Sequence, residues 1–500
     1  MSEGFRVPAI ATEIEPDRTV GGTSRATGSL LGCALLCLLA SACSPGEHAD
    51  LLLSNVHVVE ARLGVVLSNQ DVLVSDGRII AVVPHGSRRV RADTVVALDD
   101  AYVIPGLWDM HAHIRSYEGQ DILPMFVAHG VTGIRDLGLT DFGLIRRWQG
   151  EIERGVMPGP RIVSSGVIVE GANPRFRSSV SVTAVDQIAP KLDPLVDQGI
   201  EIIKLFESVP EPVYRALVSY AKARGLHSAG HTRDQVDAAA IGLGSIEHLR
   251  GTVNNIDLAD IATDAAALDR FAAALTAANT FQCPTLVNNQ MTAEGLFGND
   301  ASLVHTPAYH RAWWDSMTPA DTQVLEVRAS QSREITGQLA RRGVKFLAGT
   351  DTPNPYLPAG LSLHAELEAF VDAGMTSAEA LRTATVNVAE YFHREGEWGL
   401  VAPGYDADLV LLHRNPLEDI TNTRAIAGVI AKGRYLPKEG LQELKDDHAR
   451  RMALASPRDF DQAIYMRVLG AGTDGARQIH PDPLNDSNLV VEPFHLLRFS

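Results

Sequence analysis

Five short stretches of the sequence contain side chains that can bind a metal ion or carry a proton. The residues concerned are His111 and His113, Lys204, His231, His248 and Asp351. Imidazole and carboxylate groups are common ligands of zinc and similar divalent cations, and such a cation can activate water. The residue types therefore indicate metal-dependent chemistry, provided that the fold brings the stretches together.

The first stretch, Asp109-Met110-His111-Ala112-His113, places two histidines two residues apart. Residues at this spacing in a β-strand point to the same side. Both imidazoles would then face the space beyond the C-terminal end of the strand. Two histidines on one strand face also occur by chance, so this pair alone does not establish a site.

Lys204 lies within the apolar stretch of residues 201–206. Burial of an ammonium group is costly because it loses its hydration. A neutral lysine amine can instead react with CO2 to form a carbamate, whose two oxygens can bridge two cations. The ordinary alternative is that Lys204 pairs with Glu207 or extends its side chain to solvent.

His231, His248 and Asp351 each follow a predicted strand. His227 competes with His231, but it lies deeper in its strand, so we prefer His231 as the ligand and expect His227 to pack against neighbours. Asp351 has the alternative role of capping a helix. Taken alone, each of these residues has an ordinary structural explanation.

Apolar strands alternating with helix-like segments supply the scaffold for these residues. The candidate strands are Val103–Met110, Val131–Asp136, Arg161–Val169, Glu201–Phe206, Leu226–Ala229, Ser245–His248, Thr280–Val287 and Lys345–Gly349. Eight strands separated by helices predict an α/β fold with a closed (β/α)8 TIM barrel. Because strand ends converge at the mouth of such a barrel, the five stretches, at strands one, four, five, six and eight, become neighbours.

The segments on either side of the predicted barrel have β character. We expect residues 50–104 and 395–436 to form one small β-sandwich domain, with the barrel domain at 105–394. Residues 1–43 form a predicted leader, and residues 437–500 a C-terminal extension to which the sequence assigns no role.

The leader resembles an export signal. The apolar run Leu30–Ala40 follows Arg18 and Arg25, is too short to span a bilayer, and is followed by small residues before Cys43. We predict an exported protein of the periplasm or cell envelope, attached to the membrane by a lipid on Cys43. A plain secretory signal cut near Ala42 is the alternative.

The composition is that of an acidic globular protein. Hydrophobic residues make up 45% and charged residues 21%, and the formal net charge is −17, which disfavours nucleic acid as a partner. Cys33, Cys37 and Cys43 fall in the leader, so Cys283 alone remains in the body. This excludes a disulfide framework and a thiolate-rich zinc site. We also expect the chain to form a homo-oligomer.

Several motifs together resemble the amidohydrolase superfamily, and more narrowly its imidazolonepropionase-related and Xaa-Pro dipeptidase (prolidase-like) branch. They are PGLWDMHAH, the isolated strand lysine, GHT, SIEHL, AGTD and PGYDADLVLL, within residues 50–435. The resemblance implies that His111, His113 and Asp351 hold one cation and that His231 and His248 hold the other. It also implies that carboxylated Lys204 bridges the two, with zinc as the expected metal.

The resemblance implies hydrolysis of an amide C–N bond by metal-activated hydroxide, in a dipeptide of the Xaa-Pro type or an N-acyl amino acid. Asp351 would take a proton and deliver it to the leaving nitrogen. Arg233 or Arg250 would pair with a substrate carboxylate, and Tyr117 and His364 are further pocket candidates. The alternatives are a cyclic amide, urea or carbamate hydrolase with the same site, and a non-catalytic surface binding protein.

Overall fold

The structure, a computed structural model, describes residues 47–454 apart from 99, 116–118, 177, 289–318 and 355. The predicted leader, Tyr117 and the last part of the C-terminal extension lie outside the described residues. Among the helices of the described part, none has both the length and the apolar character needed to cross a membrane.

The strands of the described residues form three hydrogen-bonded sheets. In chain order they are β1 (Glu47–Glu60), β2 (Val65–Ser75), β3 (Arg78–Pro84), β4 (Val90–Ala97), β5 (Tyr102–Pro105), β6 (Leu107–Ala112), β7 (Val131–Asp136), β8 (Arg161–Ser164), β9 (Ile168–Glu170), β10 (Val180–Ser181), β11 (Ile202–Leu205), β12 (His227–Gly230), β13 (Ser245–Glu247), β14 (Phe281–Cys283), β15 (Leu409–Leu412), β16 (Ile426–Ala431) and β17 (Arg434–Pro437).

The α-helices lie mostly between the parallel strands. They are α1 (Gly119–Ala128), α2 (Phe142–Glu153), α3 (Ile188–Gln198), α4 (Glu211–Ala223), α5 (Gln235–Ala240), α6 (Leu258–Ile261), α7 (Ala265–Ala278), α8 (Pro319–Ala340), α9 (Leu361–Asp372), α10 (Ser377–Thr383), α11 (Val386–Tyr391) and α12 (Lys438–Leu454), with 3-10 helices at Val185–Gln187 and Ile420–Arg424.

One eight-stranded sheet joins strands from both flanking segments. Its order is β17-β16-β15-β5-β1-β2-β3, and β4 pairs with β1. The link between the segments is the antiparallel pair of β15 and β5, in which Leu411 lies opposite Val103. Leu53, Val72 and Leu411 are fully buried on this sheet, so its apolar residues form a core of their own.

The other two sheets are parallel and carry the helices, with orders β6-β7-β8 and β10-β9-β11-β12-β13-β14. The N–H of Glu201 donates to the carbonyl of Ser164 at 3.2 Å and connects them on one side. On the other side, residues 345–352 make parallel bridges from Phe346 to Gln282 and from Thr352 to Ala112. Parallel strands alternating with helices give a TIM-barrel-like α/β fold.

Four predicted strands differ clearly in the structure. Arg161–Val169 is divided into β8 and β9, which lie in different sheets, and Thr280–Val287 is shortened to β14. Val103–Met110 is divided at Gly106, where an added Cβ would lie 1.9 Å from the hydroxyl of Thr132; β5 before it joins the eight-stranded sheet, and β6 after it joins β7. Lys345–Gly349 forms bridges but no regular strand. The hydrophobicity of the residues around Gly106 does not reveal where the chain leaves one sheet for another, because both sheets bury apolar side chains.

The described part of the C-terminal extension is helical. Helix α12 packs against α1, where Arg451 pairs with Asp121 at 3.1 Å, and Leu441 is only 3% exposed. Residues 438–454 are therefore held to the body of the protein by both a charge pair and apolar burial.

Candidate metal centre

The candidate ligands lie at the C-terminal ends of strands in both parallel sheets. They are His111 on β6 and His113 just beyond it, Lys204 on β11, His231 after β12, His248 after β13, and Asp351 on the bridging segment. Parallel strands bring their C-terminal ends to the same side of the fold, so residues far apart in sequence become neighbours.

Contacts between the imidazole rings show how closely these residues approach. The ring centroid of His111 lies 4.4 Å from that of His248 and 5.3 Å from that of His113. His231 lies 5.0 Å from His248 in the same measure. The four histidines, from three strands, therefore form one cluster.

Asp351 faces three of these rings. Its Oδ1 lies 3.2 Å from Nε2 of His113 and 3.5 Å from Nε2 of His111, and its Oδ2 lies 3.9 Å from Nε2 of His248. His111, His113 and Asp351 each offer a ligand atom within 4.8 Å of the others, which is the separation expected of groups that could hold one metal ion. Asp351 caps no helix; its φ of 66° places it in the left-handed region instead.

Two of the histidines donate from Nδ1 to carboxylates. Nδ1 of His111 lies 2.7 Å from Oε2 of Glu247, and Nδ1 of His231 lies 3.0 Å from Oε2 of Glu207. A carboxylate only accepts hydrogen bonds, so the proton of each neutral ring lies on Nδ1 and the lone pair on Nε2. Such carboxylate–histidine pairs orient the ligands of metal sites.

The other two histidines reach the same tautomer through neutral acceptors. Nδ1 of His113 lies 3.2 Å from the carbonyl of Gly138. Nδ1 of His248 lies 2.7 Å from the hydroxyl of Thr285, which itself donates to the carbonyl of Pro284 at 2.8 Å. Because the hydroxyl has one proton and has used it, it must accept from His248. All four Nε2 atoms thus offer a lone pair.

Lys204 is buried and unpaired. Its side chain is 1% exposed and its Nζ has no hydrogen-bond partner, because Glu207 bonds His231 instead. Burial lowers the pKa of Lys204 to about 8. The alternative of a lysine paired with Glu207 or reaching solvent is therefore not what the structure shows.

The lowered pKa values of the histidines favour the neutral imidazole, which is the form that binds metal ions. Burial lowers the pKa of His231 to about 4, and the neighbouring Lys204 charge acts in the same direction. Burial likewise holds the pKa values of His111 and His248 well below the ordinary range. Neutral imidazoles, the buried Nε2 of His111 without a hydrogen bond, and the unpaired Nζ of Lys204 together fit a site for divalent cations.

A buried ion pair behind the cluster was not predicted from the sequence. The guanidinium of Arg135 donates to both oxygens of Glu247 at 2.8 and 2.9 Å, and both side chains are fully buried. Burial alone would raise the pKa of Glu247, but the charges of Arg135 and Lys204 outweigh it and hold that pKa below its usual range. Charged residues inside apolar strands were the signal that could have identified this pair.

We expect Arg135→Met to lower the free energy of unfolding by about 3–5 kcal/mol, because it leaves the carboxylate of Glu247 buried without the guanidinium that pairs with its charge. Denaturant unfolding followed by circular dichroism measures the change. Arg147→Met is the control, since the partly exposed pair of Arg147 with Glu151 on α2 is worth only about 0.3–0.5 kcal/mol. Equal losses in the two variants would contradict the role given to Arg135.

Asp109 is a second residue that sequence analysis missed. Its carboxylate accepts from the hydroxyl of Thr350 at 2.6 Å and from the N–H of Thr350 and of His111, both at 3.1 Å. Burial raises the pKa of Asp109 to about 7. The residue ties β6 to the segment that carries Asp351, so it holds two of the candidate ligands in register.

The four residues predicted to contact the substrate do not all lie near the histidine cluster. Arg233 and Arg250 are both exposed, and Nε of Arg233 donates to the carbonyl of Glu207 at 2.8 Å, beside His231. Tyr117 lies outside the described residues. His364 is buried, and its ring nitrogens bond the hydroxyl of Thr423 and the carbonyl of His129, each at 2.9 Å, so it is committed to packing and not brought to the cluster.

His227 packs as expected from its position in the strand. It lies at the start of β12, and its ring contacts those of Tyr391 and Phe392 at centroid distances of 5.3 and 5.0 Å.

Arg175, which sequence analysis did not identify, lies near the cluster. It is 3.7 Å from Glu207, and its guanidinium lies 5.4 Å from the ring centroid of Phe206. Phe206 in turn contacts the ring of His231 at 4.1 Å.

A TIM-barrel-like fold with histidines and a carboxylate at the strand ends defines a class of metal-dependent α/β proteins. The chain belongs to the amidohydrolase family, which it matches over residues 102–436. This confirms the resemblance inferred from the motifs. Members of the superfamily use divalent metals, and family membership indicates a hydrolase acting on carbon–nitrogen bonds, in agreement with the predicted enzyme class.

Similar proteins of known sequence include adenine deaminases. Adenine deaminase 1 of Jannaschia sp. (strain CCS1) is 25% identical over 372 residues, which cover 73% of this chain and 54% of the relative. Adenine deaminase 2 of Rhizobium etli is 27% identical over 415 residues, covering 79% and 58%. The chain thus spans somewhat more than half the length of these curated relatives.

Similar solved structures cover most of both chains. A bottromycin amidohydrolase has a TM-score of 0.65 and 26% identity, covering 82% of this chain and 92% of its own. A Xaa-Pro dipeptidase with methionine bound in its active site has a TM-score of 0.63 and 20% identity, covering 77% and 99%. The second likeness supports the fold alone.

Proposed function

We propose that this protein is a metal-dependent hydrolase of carbon–nitrogen bonds that holds two divalent cations, both zinc. The observation that carries the proposal is the set of four imidazoles whose Nδ1 atoms are each bonded to an acceptor, which leaves four Nε2 lone pairs beside Asp351. His111, His113 and Asp351 hold one cation, and His231 and His248 hold the other. This arrangement is what the family resemblance implies.

Lys204 is the proposed bridge between the cations. Its buried, unpaired Nζ forms a bond to the carbon of CO2 and loses one N–H proton, which yields a carbamate with two oxygens and one negative charge. An anion at this position offsets the charge of two cations, and a neutral or positive amine does not. The neutral form of a buried lysine is the form that reacts with CO2.

When bound, the cations supply Lewis acidity, which lowers the pKa of water and polarises the scissile carbonyl. The chain's own contribution is proton transfer at Asp351. Its Oδ2 already accepts from the side-chain amides of Asn288 and Asn354, both at 2.8 Å. We propose that the carboxylate of Asp351 takes the proton of the attacking water and returns it to the leaving nitrogen.

The proposed substrate is a dipeptide of the Xaa-Pro type or an N-acyl amino acid. The support is the resemblance of the sequence motifs to the prolidase-like branch and the arginines near Glu207 and His231. Arg175, Arg233 and Arg250 are all exposed, so each can present a guanidinium to a carboxylate that enters from solvent. The free carboxylate of such a substrate would bind there while its amide carbonyl lies over the metal centre.

A second candidate function is removal of an amino group from adenine, which the names of the curated relatives favour. The remaining alternatives are hydrolysis of a cyclic amide, a urea or a carbamate at the same centre, and a non-catalytic surface binding protein. These alternatives differ in the part of the substrate that lies beyond the scissile bond. Family membership does not determine which substrate binds.

A substrate panel separates these functions. We expect the zinc-loaded protein to hydrolyse Xaa-Pro dipeptides or N-acyl amino acids faster than it acts on adenine, lactams, aryl ureas or carbamates. Arg250→Met should raise KM for the carboxylate substrate about tenfold or more with a smaller change in kcat, because it removes a charged hydrogen-bond partner. Arg215→Met, on α4 and paired with Glu211, is the control.

Turnover of adenine with no turnover of carboxylate-bearing amides would contradict the proposed substrate. No turnover of any member of the panel, with metal bound, would favour the binding protein.

Further features of the whole protein are also proposed. We propose that the parallel strands close into a (β/α)8 barrel at residues 105–394, with 50–104 and 395–436 folded as a sandwich beside it. Residues 1–43 are proposed to direct export, with a lipid on Cys43 attaching the mature protein to the cell envelope. We also propose a homo-oligomer without nucleic acid. Sedimentation tests the oligomeric state, and mass spectrometry of the mature N-terminus tests the export signal and the lipid on Cys43.

A further inference from the structure

A short turn after β14 contacts two of the proposed metal ligands. Within residues 284–288, the hydroxyl of Thr285 accepts from Nδ1 of His248 at 2.7 Å. Three residues later, Nδ2 of Asn288 donates to Oδ2 of Asp351 at 2.8 Å. The shape of this turn therefore affects the orientation of a ligand from each proposed cation site.

The turn has a conformation that needs support. Thr285 has a φ of 49°, in the left-handed region that β-branched residues rarely adopt. Residues held in such regions cost of order 1–3 kcal/mol and persist where the surrounding structure restrains them. The chain becomes helical at Leu286, so the N–H groups of Leu286 and Val287 belong to a first turn that has no partners within its own helix.

Those two N–H groups bond one buried carboxylate. Oε1 of Glu366 accepts from the N–H of Leu286 at 3.0 Å, and Oε2 accepts from the N–H of Val287 at 2.8 Å. Glu366 lies on α9, about eighty residues away in sequence, and is fully buried. Burial of a carboxyl group is costly unless it is well hydrogen-bonded, and here both oxygens are used.

We propose that Glu366 is a positioning residue for the metal centre: it anchors the turn at 284–288 so that Thr285 and Asn288 orient His248 and Asp351. The inference rests on the proposed function, because it assumes that these two residues bind cations. Glu366 itself makes no hydrogen bond to any of the proposed ligands among the described residues. It acts through the turn alone.

The test is the zinc affinity of the metal-free protein, measured by competition with a chromophoric chelator. Glu366→Gln keeps the size of the side chain but sets an NH2 group against one of the two backbone N–H donors. We expect it to weaken zinc binding about 10–100-fold, the usual cost of losing a group that orients a ligand. Glu366→Asp, which shortens the side chain by one methylene, should act in the same direction.

Double and triple variants distinguish a residue that positions the metal ligands from one that only stabilises the fold. The double variant Thr285→Val/Asn288→Ala should lose as much zinc affinity as Glu366→Gln, and adding Glu366→Gln to it should cause no further loss, because the effect passes through the same turn. Thr423→Val is the matched control: it removes the buried bond to His364 on the same helix, away from the turn, and should leave zinc affinity unchanged.

Wild-type zinc affinity in a folded Glu366 variant, or losses that add fully in the triple variant, overturns the inference. If neither Glu366 variant folds, amide hydrogen exchange in the wild-type protein decides, and rapid exchange at Leu286 and Val287 overturns it. A wild-type protein that binds no zinc overturns the proposed function and this inference with it. Zinc bound normally by the wild type and by every variant overturns this inference alone.

Discussion

Replacing Asp351 with asparagine is expected to lower kcat by about 10²–10⁴-fold, the usual contribution of a general acid–base group, while most of the zinc stays bound. The amide keeps one oxygen that can bind a cation, so the metal retains a ligand at this position. An amide is far less basic than a carboxylate, so it cannot take the proton of the attacking water. Steady-state kinetics and metal analysis of the same preparation measure both effects.

The control for this variant is Asp264→Asn. Asp264 accepts from backbone N–H groups at the start of α7, a role that asparagine also performs, so activity and metal content should match the wild type. Near-normal kcat in Asp351→Asn would contradict proton transfer by Asp351. Complete loss of metal from that variant would assign the residue to binding alone.

Replacing Lys204 with methionine should remove at least one of the two cations and lower kcat/KM by more than about 100-fold. Methionine fills the buried space of the lysine stem but cannot form a carbamate, so the two cations lose the anion that offsets their mutual repulsion. The number of zinc ions per chain is measured by elemental analysis, and activity by the substrate found in the panel.

Lys345→Met is the matched control for Lys204. Lys345 is the first residue of the bridging segment, at the opposite end from Asp351, and it bonds Asn279 and Glu390, so its loss should leave two zinc ions in place. Two zinc ions per chain in Lys204→Met would contradict a bridging role for Lys204, whatever happens to activity.

The candidate ligands could be predicted because they lie at the ends of apolar strands, where a polar residue stands out. His111 and His113 two residues apart, and Lys204 inside an apolar stretch, are patterns that local spacing alone reveals. The alternation of strands and helices was enough to expect that these ends meet on one side. The structure does bring all of them to that side.

The residues that orient the ligands could not be predicted in the same way. Glu366 contacts Leu286 across 80 positions of sequence, and Arg135 contacts Glu247 across 112. Such contacts depend on which helix packs over which strand, and no local pattern contains that information. His364 was wrongly predicted to line the pocket, because the sequence of a helix does not show whether a histidine faces a pocket or the core.

The predicted strand boundaries are wrong where the chain passes from one sheet to another or leaves the sheet. The run from Val103 to Met110 has apolar residues on both sides of Gly106, so hydrophobicity alone does not mark the point where it passes from the eight-stranded sheet to β6. The predicted strand at Thr280–Val287 is shortened to Phe281–Cys283, since Pro284 lacks an N–H and Thr285 is left-handed.

The most direct test of the proposed centre is anomalous diffraction at the zinc edge from crystals of the protein as purified. We expect two peaks about 3.5–4 Å apart, one beside Nε2 of His111 and His113 and the other beside Nε2 of His231 and His248. We also expect added density on Nζ of Lys204 between them. Absence of any peak near these nitrogens, with an unmodified Lys204 side chain, would contradict the proposed metal centre.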